Sequence, residues 1–441
     1  MPTPSTHETS RPHEQRPLTS QDARTLGLAA LGGALEFYDF IIFVFFTGVI
    51  GQLFFPPDTP EWLRQLQAFG LFAAGYLARP LGGIVMAHFG DRSGRKRMFT
   101  LSVFMMAVPT LLIGLLPTYA TAGYAAPLAL LLLRICQGAA VGGEVPGAWV
   151  FVAEHVPERR VGFACGSLTA GLTLGILLGS LVATAINKGF SPEQVRDFAW
   201  RGPFLVGGVF GFFSVFLRRW LAETPVFEEM RQRKALVKEL PLKAVLRGHG
   251  LAVAVSMLLT WVLTAGIVVV ILMTPTLIQK LFGITAAHAL EANSAATFSL
   301  TLGCVCFGLL ADRFGAGRVL GVGCGALLVT TYLLYRGLAV APERLVPLYV
   351  LTGFCVGVVG VVPTVMVRAF PAAVRFSGLS FSYNMAYALF GGVTPLVVTL
   401  MMKWSPLAPA HYVAALCGVG IAVALYLVSL GRARFTSLST S

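Results

Sequence analysis

The chain is 441 residues long, 56% hydrophobic and only 12% charged, where an average soluble domain carries about 25% charged residues. A soluble protein of this size, roughly two or three domains, could not cover its surface with so few charges. That balance excludes a soluble enzyme, a nucleic-acid-binding domain and a disulfide-stapled secreted protein, and leaves an all-α polytopic membrane protein.

Residues 1–24 are polar and proline-containing, with no apolar core, and read as a disordered cytoplasmic tail, not a signal peptide. Twelve apolar spans follow, near 25–51, 66–89, 97–116, 125–153, 160–187, 202–221, 249–278, 292–311, 317–336, 345–367, 376–402 and 409–431. Each is long enough for a ~30 Å hydrocarbon core, and helix is the assignment because an open strand leaves its backbone unsatisfied in lipid. The polar, basic stretch 222–247 separates six spans from six. It divides the chain into an N-terminal bundle over 25–221, a cytoplasmic linker, a C-terminal bundle over 248–431 and a cytoplasmic tail over 432–441. With both termini in the cytoplasm, 23 Lys and Arg residues lie on that side and 8 on the other, the asymmetry that sets orientation in a bilayer. The net charge of +13 therefore faces an anionic inner leaflet and not nucleic acid.

The two halves repeat. GDRSGRK at 90–96 follows the second span and ADRFGAGR at 311–318 follows the eighth; VPERRVGF at 156–163 and FPAAVRFSG at 370–378 form a fainter pair. Duplicated six-helix halves with a midplane site between them describe a secondary transporter.

Ionisable residues inside the spans mark where that site lies, because a centred charge costs about 2.5–3.5 kcal/mol on insertion scales. Glu36 and Asp39 in the first span are three apart and share a helical face. Two close carboxylates in low dielectric do not both stay ionised without a nearby cation, so one of them is a candidate proton carrier; Asp39, nearer the membrane centre, is preferred and Glu36 stays open. In the fourth span Arg134, Gln137 and Glu144 lie on one stripe, and Glu144, nearer the cytoplasm, is a further proton-coupling candidate with helix packing as the alternative. Arg134 has the planar fork that suits a carboxylate, and Gln137 is a binding candidate beside it. Arg79 in the second span reads as a structural ion pair. The second half has no centred acid and supplies Trp261, Tyr383, Asn384 and Tyr387 for stacking and hydrogen bonds. Gly171, Gly175 and Gly179 in the fifth span read as close helix packing. The seven cysteines lie within apolar runs and suggest neither disulfide nor metal. No cofactor is expected, and no ATP-binding motif is present.

ALEFYDF at 34–40, RPLGGIVMAHFGDRSGRKR at 79–97, RICQGAAVGGE at 134–144, WRGPF at 200–204, LAETPVF at 221–227 and FPAAVRFSGLSFSYN at 370–384 together resemble the major facilitator superfamily, and within it the metabolite:proton symporters. The resemblance implies twelve helices in two pseudo-symmetric bundles, a proton-transfer role for Arg134, and a gating role for Gly90, Asp91, Arg92, Gly94, Arg95 and Lys96, repeated at Asp312 and Arg313, that latches the outward-facing state. Tyr38 joins the substrate-binding candidates. The expected function is proton-coupled symport of a small organic acid or zwitterion by alternating access. Export of a siderophore or drug, or a ligand sensor without transport, stay open as alternatives. A monomer in a bacterial inner membrane, partnered by a small molecule, protons and lipid, completes the expectation.

Overall fold

The computed structural model describes residues 17–93, 95–218, 241–372 and 374–435, with the side chains of Glu61, Trp62, Gln65, Leu66, Phe69, 87–100, 217–244 and 431–435 outside that description. The twelve spans are α1 (Ser20–Phe45), α2 (Glu61–Ser93), α3 (Arg95–Leu115), α4 (Ala125–His155), α5 (Val161–Gly189), α6 (Arg201–Arg218), α7 (Gly250–Phe282), α8 (Ala286–Phe314), α9 (Ala316–Val340), α10 (Pro342–Ala369), α11 (Arg375–Met401) and α12 (Ala408–Phe435). Among the described residues, nine helices are long and apolar enough to cross a bilayer, and a tenth is the pair Pro192–Ala199 and Arg201–Phe216, bent by 46°. The other two spans are the apolar parts of α2 and α3, Gly70–Met86 and Leu101–Leu115. Leu77, Leu81, Leu132, Phe213 and Val322 stand exposed on the outside of the bundle, as a lipid-facing shell requires.

The chain departs from the expected boundaries at three places. Residues 20–24, expected in a disordered tail, begin α1, because Thr19 and Asp22 form a capping box that satisfies its first amides. Of the linker 222–247, residues 222–240 lie outside the described residues, and Pro241–Gly248 is helical. The tail expected from 432 is helical to Phe435, and 436–441 lie outside the description.

Several spans are also not continuous α-helices. The first breaks at Phe46 and restarts as Thr47–Phe54. In the second half α7 widens into π-type turns over Ala265–Met273, α10 tightens into 3₁₀ turns over Gly357–Val361, and α11 widens over Tyr387–Gly391. Each irregular stretch ends where a helix restarts with proline near its N-terminus: Pro275, Pro363 and Pro395. Proline cannot donate to the preceding turn, and in α7 and α11 the threonine before it does so through its hydroxyl. Thr274 Oγ1 donates to Val269 O at 2.9 Å, and Thr394 Oγ1 donates to Phe390 O.

Small residues let the helices approach backbone to backbone. A Cβ on Gly138 of α4 would collide with the Gly75 carbonyl of α2, and one on Gly142 with the Arg79 carbonyl. Gly171 and Gly175 of α5 lie the same way against Ala30 and Ala34 of α1. The halves meet along two antiparallel seams. Along α5–α8, Ser180 and Ser294 share a hydrogen bond of 2.8 Å and Thr173 and Thr301 one of 2.9 Å, while Lys188 pairs with Glu291 at one end. Along α2–α11, the Tyr76 and Tyr387 rings stack 5.4 Å apart.

Candidate functional site

The intramembrane charges sit in the first six helices, and all are buried: Asp39 and Arg134 are 0% exposed, Arg79 1%, and Glu36 and Glu144 4%. Four of them fall into two groups, the carboxylates of α1 and the arginines of α2 and α4; Glu144 lies on α4.

Glu36 and Asp39 both turn towards α6, as their spacing requires. Ser214 Oγ donates to Glu36 Oε1 at 3.3 Å. Asp39 is packed against Gly207 and Gly211 of α6 and has no hydrogen-bond partner on either oxygen. Tyr38, expected at the substrate, faces the same way: its hydroxyl donates to Pro203 O at 2.9 Å and its ring packs edge-on to Phe210. It is a tie between α1 and α6 inside one half and not part of the seam.

The arginines form the second group. Arg134 Nη1 donates to Gln137 Oε1 at 2.9 Å and reaches Phe40 O at 3.4 Å, and its guanidinium lies over the Phe40 and Phe43 rings at 4.7 and 4.3 Å. Gln137 Nε2 donates in turn to Thr110 Oγ1 at 2.8 Å, so α4 is tied to α3 through an uncharged link. Arg79, expected in an ion pair, has no carboxylate within 4.0 Å among the described residues. Three tyrosines surround its guanidinium instead: Tyr387 at 4.3 Å, Tyr383 at 5.2 Å and Tyr76 at 5.4 Å from the ring centroids. Cation–π contact is how a buried cation finds partners when the acids of its own bundle point elsewhere.

The second half therefore reaches the charges through aromatic faces and one amide. Tyr383 also meets Trp149 of α4 edge-on at 5.0 Å. Asn384 Nδ2 donates across the seam to Gly142 O, and its Oδ1 has no partner. Trp261, expected beside them, is elsewhere: it stacks on Phe390 at 4.1 Å and donates through Nε1 to Tyr412 at 2.9 Å, within its own half. Its partner Tyr412 lies on α12, which pulls the indole away from the seam.

At the end where α1 begins and α12 ends, Asp312 accepts from the Gly162 and Phe163 amides at 2.7 and 2.8 Å, a carboxylate placed on the N-terminus of α5. Arg313, its neighbour, is exposed and lies over Phe314. Arg375 of α11 pairs with Glu154 of α4 at 3.4 Å, and Arg368 Nη2 donates to Glu158 O at 2.8 Å. Of the first-half gating motif, Gly94 and the side chains of Asp91, Arg92, Arg95 and Lys96 lie outside the described residues; Gly90 is within α2.

Sequence reasoning missed Thr110, Tyr76, the glycines facing Asp39, and Glu154–Arg375. Tyr76 carried a signal, since it stands three residues before Arg79 on one helix and so shares its face. WRGPF has a packing role: Trp200 packs among Phe54 and Phe204, and Arg201 Nη1 donates to the Gly114 and Leu116 carbonyls, closing the end of α3.

Twelve helices in two six-helix halves, with five ionisable side chains buried within the first half, define a multi-pass membrane carrier. The chain belongs to the Major Facilitator Superfamily, whose family model matches residues 29–395. It is a secondary active transporter working by alternating access, not an enzyme. A relative from Staphylococcus aureus, provisionally named a proline/betaine transporter, is 32% identical over 92% of this chain and 88% of its own. The citrate-proton symporter of Klebsiella pneumoniae is 31% identical over 90% of each chain. Among solved structures, the proton:xylose symporter XylE superposes with a TM-score of 0.75 at 18% identity, covering 93% of this chain and 96% of that one; this likeness is one of fold.

Proposed function

We propose that the chain is a proton-coupled symporter of a small carboxylate-bearing metabolite, an organic acid or a zwitterion, with Asp39 as the group that takes up and releases the proton. The observation that carries this reading is a fully buried carboxyl with neither oxygen partnered. An ionised carboxylate there has no counter-charge or hydrogen bond to offset its lost hydration, whereas the neutral acid carries no charge to solvate. A group that is tolerable protonated while the carrier is shut, and chargeable when its side opens to water, couples proton movement to the change of state. The relatives named for citrate-proton symport and for proline/betaine transport supply the substrate range.

The positive-inside asymmetry supports both termini, the linker and the Asp312 end lying in the cytoplasm, in a bacterial inner membrane. Arg and Lys at that end meet the anionic leaflet, and a single copy contains both halves of the site.

The test is uptake into proteoliposomes under an inward proton gradient, with labelled citrate, proline and glycine betaine offered singly. Wild type should accumulate at least one of them, and Asp39→Asn should lose accumulation while keeping substrate exchange at equal pH. Gradient-driven accumulation by the mutant at the wild-type level removes Asp39 from the coupling step.

A further inference from the structure

Arg79 and Arg134 share a feature that their separate environments conceal. In each, Nε and Nη2 have no hydrogen-bond partner, and these two atoms form the same side of the guanidinium, the edge on which a carboxylate docks through two parallel bonds. Arg134 spends Nη1 on Gln137 and Phe40, leaving that edge open. Arg79 lies within 5.4 Å of three tyrosine ring centroids, and its Nε and Nη2 stay unbonded. Both side chains are at least 99% buried, and neither has a carboxylate within 4.0 Å among the described residues.

The two arginines meet α2 at neighbouring turns. Arg134 Nη2 lies 3.3 Å from the point a Cβ on Gly75 would occupy, and Gly75 is four residues before Arg79, about 6 Å along the helix at 1.5 Å per residue. Tyr76 stands between them, its ring 5.4 Å from both Phe40, under Arg134, and the Arg79 guanidinium. Two buried cations with open bidentate edges, meeting α2 about one helical turn apart along its backbone, call for two negative charges. Asp39 and Glu36 do not supply them, since they face α6. A zwitterion would bring one carboxylate and one cation, and the aromatic box that could take the cation is filled by Arg79 itself.

From this we infer that the substrate class is a dicarboxylate, or a larger acid presenting two carboxylates, held end to end by Arg79 of α2 and Arg134 of α4. Resting on the transporter reading above, this selects among its substrates and makes Arg79 a binding residue. Because the Arg79 box includes Tyr383 and Tyr387 of the second half, a carboxylate on Arg79 is sensed by both bundles.

Binding and transport are measured separately, so that the two readings fail separately. Purified wild type in nanodiscs is titrated calorimetrically with succinate, 2-oxoglutarate, citrate, butyrate, inorganic phosphate, proline and glycine betaine. A dicarboxylate should bind roughly 10–100-fold more tightly than butyrate, the gain from a second charge-assisted pair. Arg79→Gln and Arg134→Gln should each bring the dicarboxylate down to the butyrate level while changing butyrate itself by less than a few-fold. Arg79→Lys, which keeps the charge and the packing stem but not the fork, should lose about tenfold. Proline, betaine or phosphate binding more tightly than every dicarboxylate overturns the inference, as does an Arg79→Lys protein that folds and binds dicarboxylates like wild type. Tight dicarboxylate binding without counterflow in vesicles sinks the transport reading and leaves the two-arginine site standing.

Discussion

Asp39 occupies a space that two glycines leave for it. A Cβ on Gly207 would lie 2.6 Å from Asp39 Oδ1 and 2.9 Å from Thr110 Cγ2. A methyl group there must push the carboxyl or α6 aside, and overpacking of this kind costs about 1–3 kcal/mol. Gly207→Ala should therefore cut gradient-driven accumulation at least severalfold, whereas Gly202→Ala on the same helix, with nothing within 4 Å of its Cβ, should transport like wild type; equal rates for the two would show that the carboxyl is not confined. The shared face of Glu36 and Asp39 was legible from a three-residue spacing, and the residues needing shelter from lipid were legible from charge alone. Which partner each would find was not. Sequence offers Arg79 and Arg134 as counter-ions because they are the only intramembrane cations, but α1 carries its acids towards α6 while the arginines turn towards ring faces on α1, α2 and α11. Opposite charges in one bundle are drawn together only if the helix rotations allow it, and the glycine contacts of α4 on α2 fix those rotations first.

The α5–α8 seam is built from rungs that repeat along both helices, and its middle rungs are hydroxyl pairs. One of the two hydroxyls donates across the rung, and each also has a backbone acceptor in reach, Ala170 O for Thr173 Oγ1 and Thr297 O for Thr301 Oγ1, so losing the rung leaves neither hydroxyl without a partner. Its strength should then be close to the average interhelical hydrogen bond in a membrane, about 0.6 kcal/mol. A double-mutant cycle with Thr173→Val and Thr301→Val, followed by reversible unfolding in mixed micelles, should give a coupling of that size; a coupling of several kcal/mol would mean that the seam is locked and cannot separate during transport. The spans themselves were legible because hydropathy reports length and burial. Their breaks were not. Ala265–Met273 is uniformly apolar, so periodicity has no polar residue from which to read a change of pitch, and Pro275 alone does not say whether a helix kinks, widens or ends. The hydroxyl of Thr274 decides it by accepting the role of donor to Val269.

At the scale of the whole molecule, the ends differ in how they are joined. One is closed by Lys188, Glu291 and His288, whose side chains are 54%, 41% and 48% exposed; ion pairs so exposed are worth about 0–1 kcal/mol. The Asp312 end is closed by a carboxylate accepting two backbone amides at the start of α5, with Arg375–Glu154 beside it, where Glu154 is almost fully buried. Hydrogen bonds to a charged group contribute about 1.5–3 kcal/mol, so this end is held the more firmly, and the empty carrier should open more readily at the opposite end. Asp312→Ala removes both bonds and leaves the two α5 amides unsatisfied. A loss of about 2 kcal/mol moves a two-state equilibrium roughly thirtyfold, enough to populate the form opened at the Asp312 end. Spin labels at Arg159→Cys and Arg313→Cys, both exposed at that end, report the change in a background lacking Cys136 and Cys306, the exposed native thiols. The wild-type distance distribution should be short and narrow; Asp312→Ala should add a longer component, and Asp312→Glu should restore most of the short one. An unchanged distribution in Asp312→Ala would mean that the Arg375–Glu154 pair holds the end shut by itself, and Glu154→Gln would then have to open it.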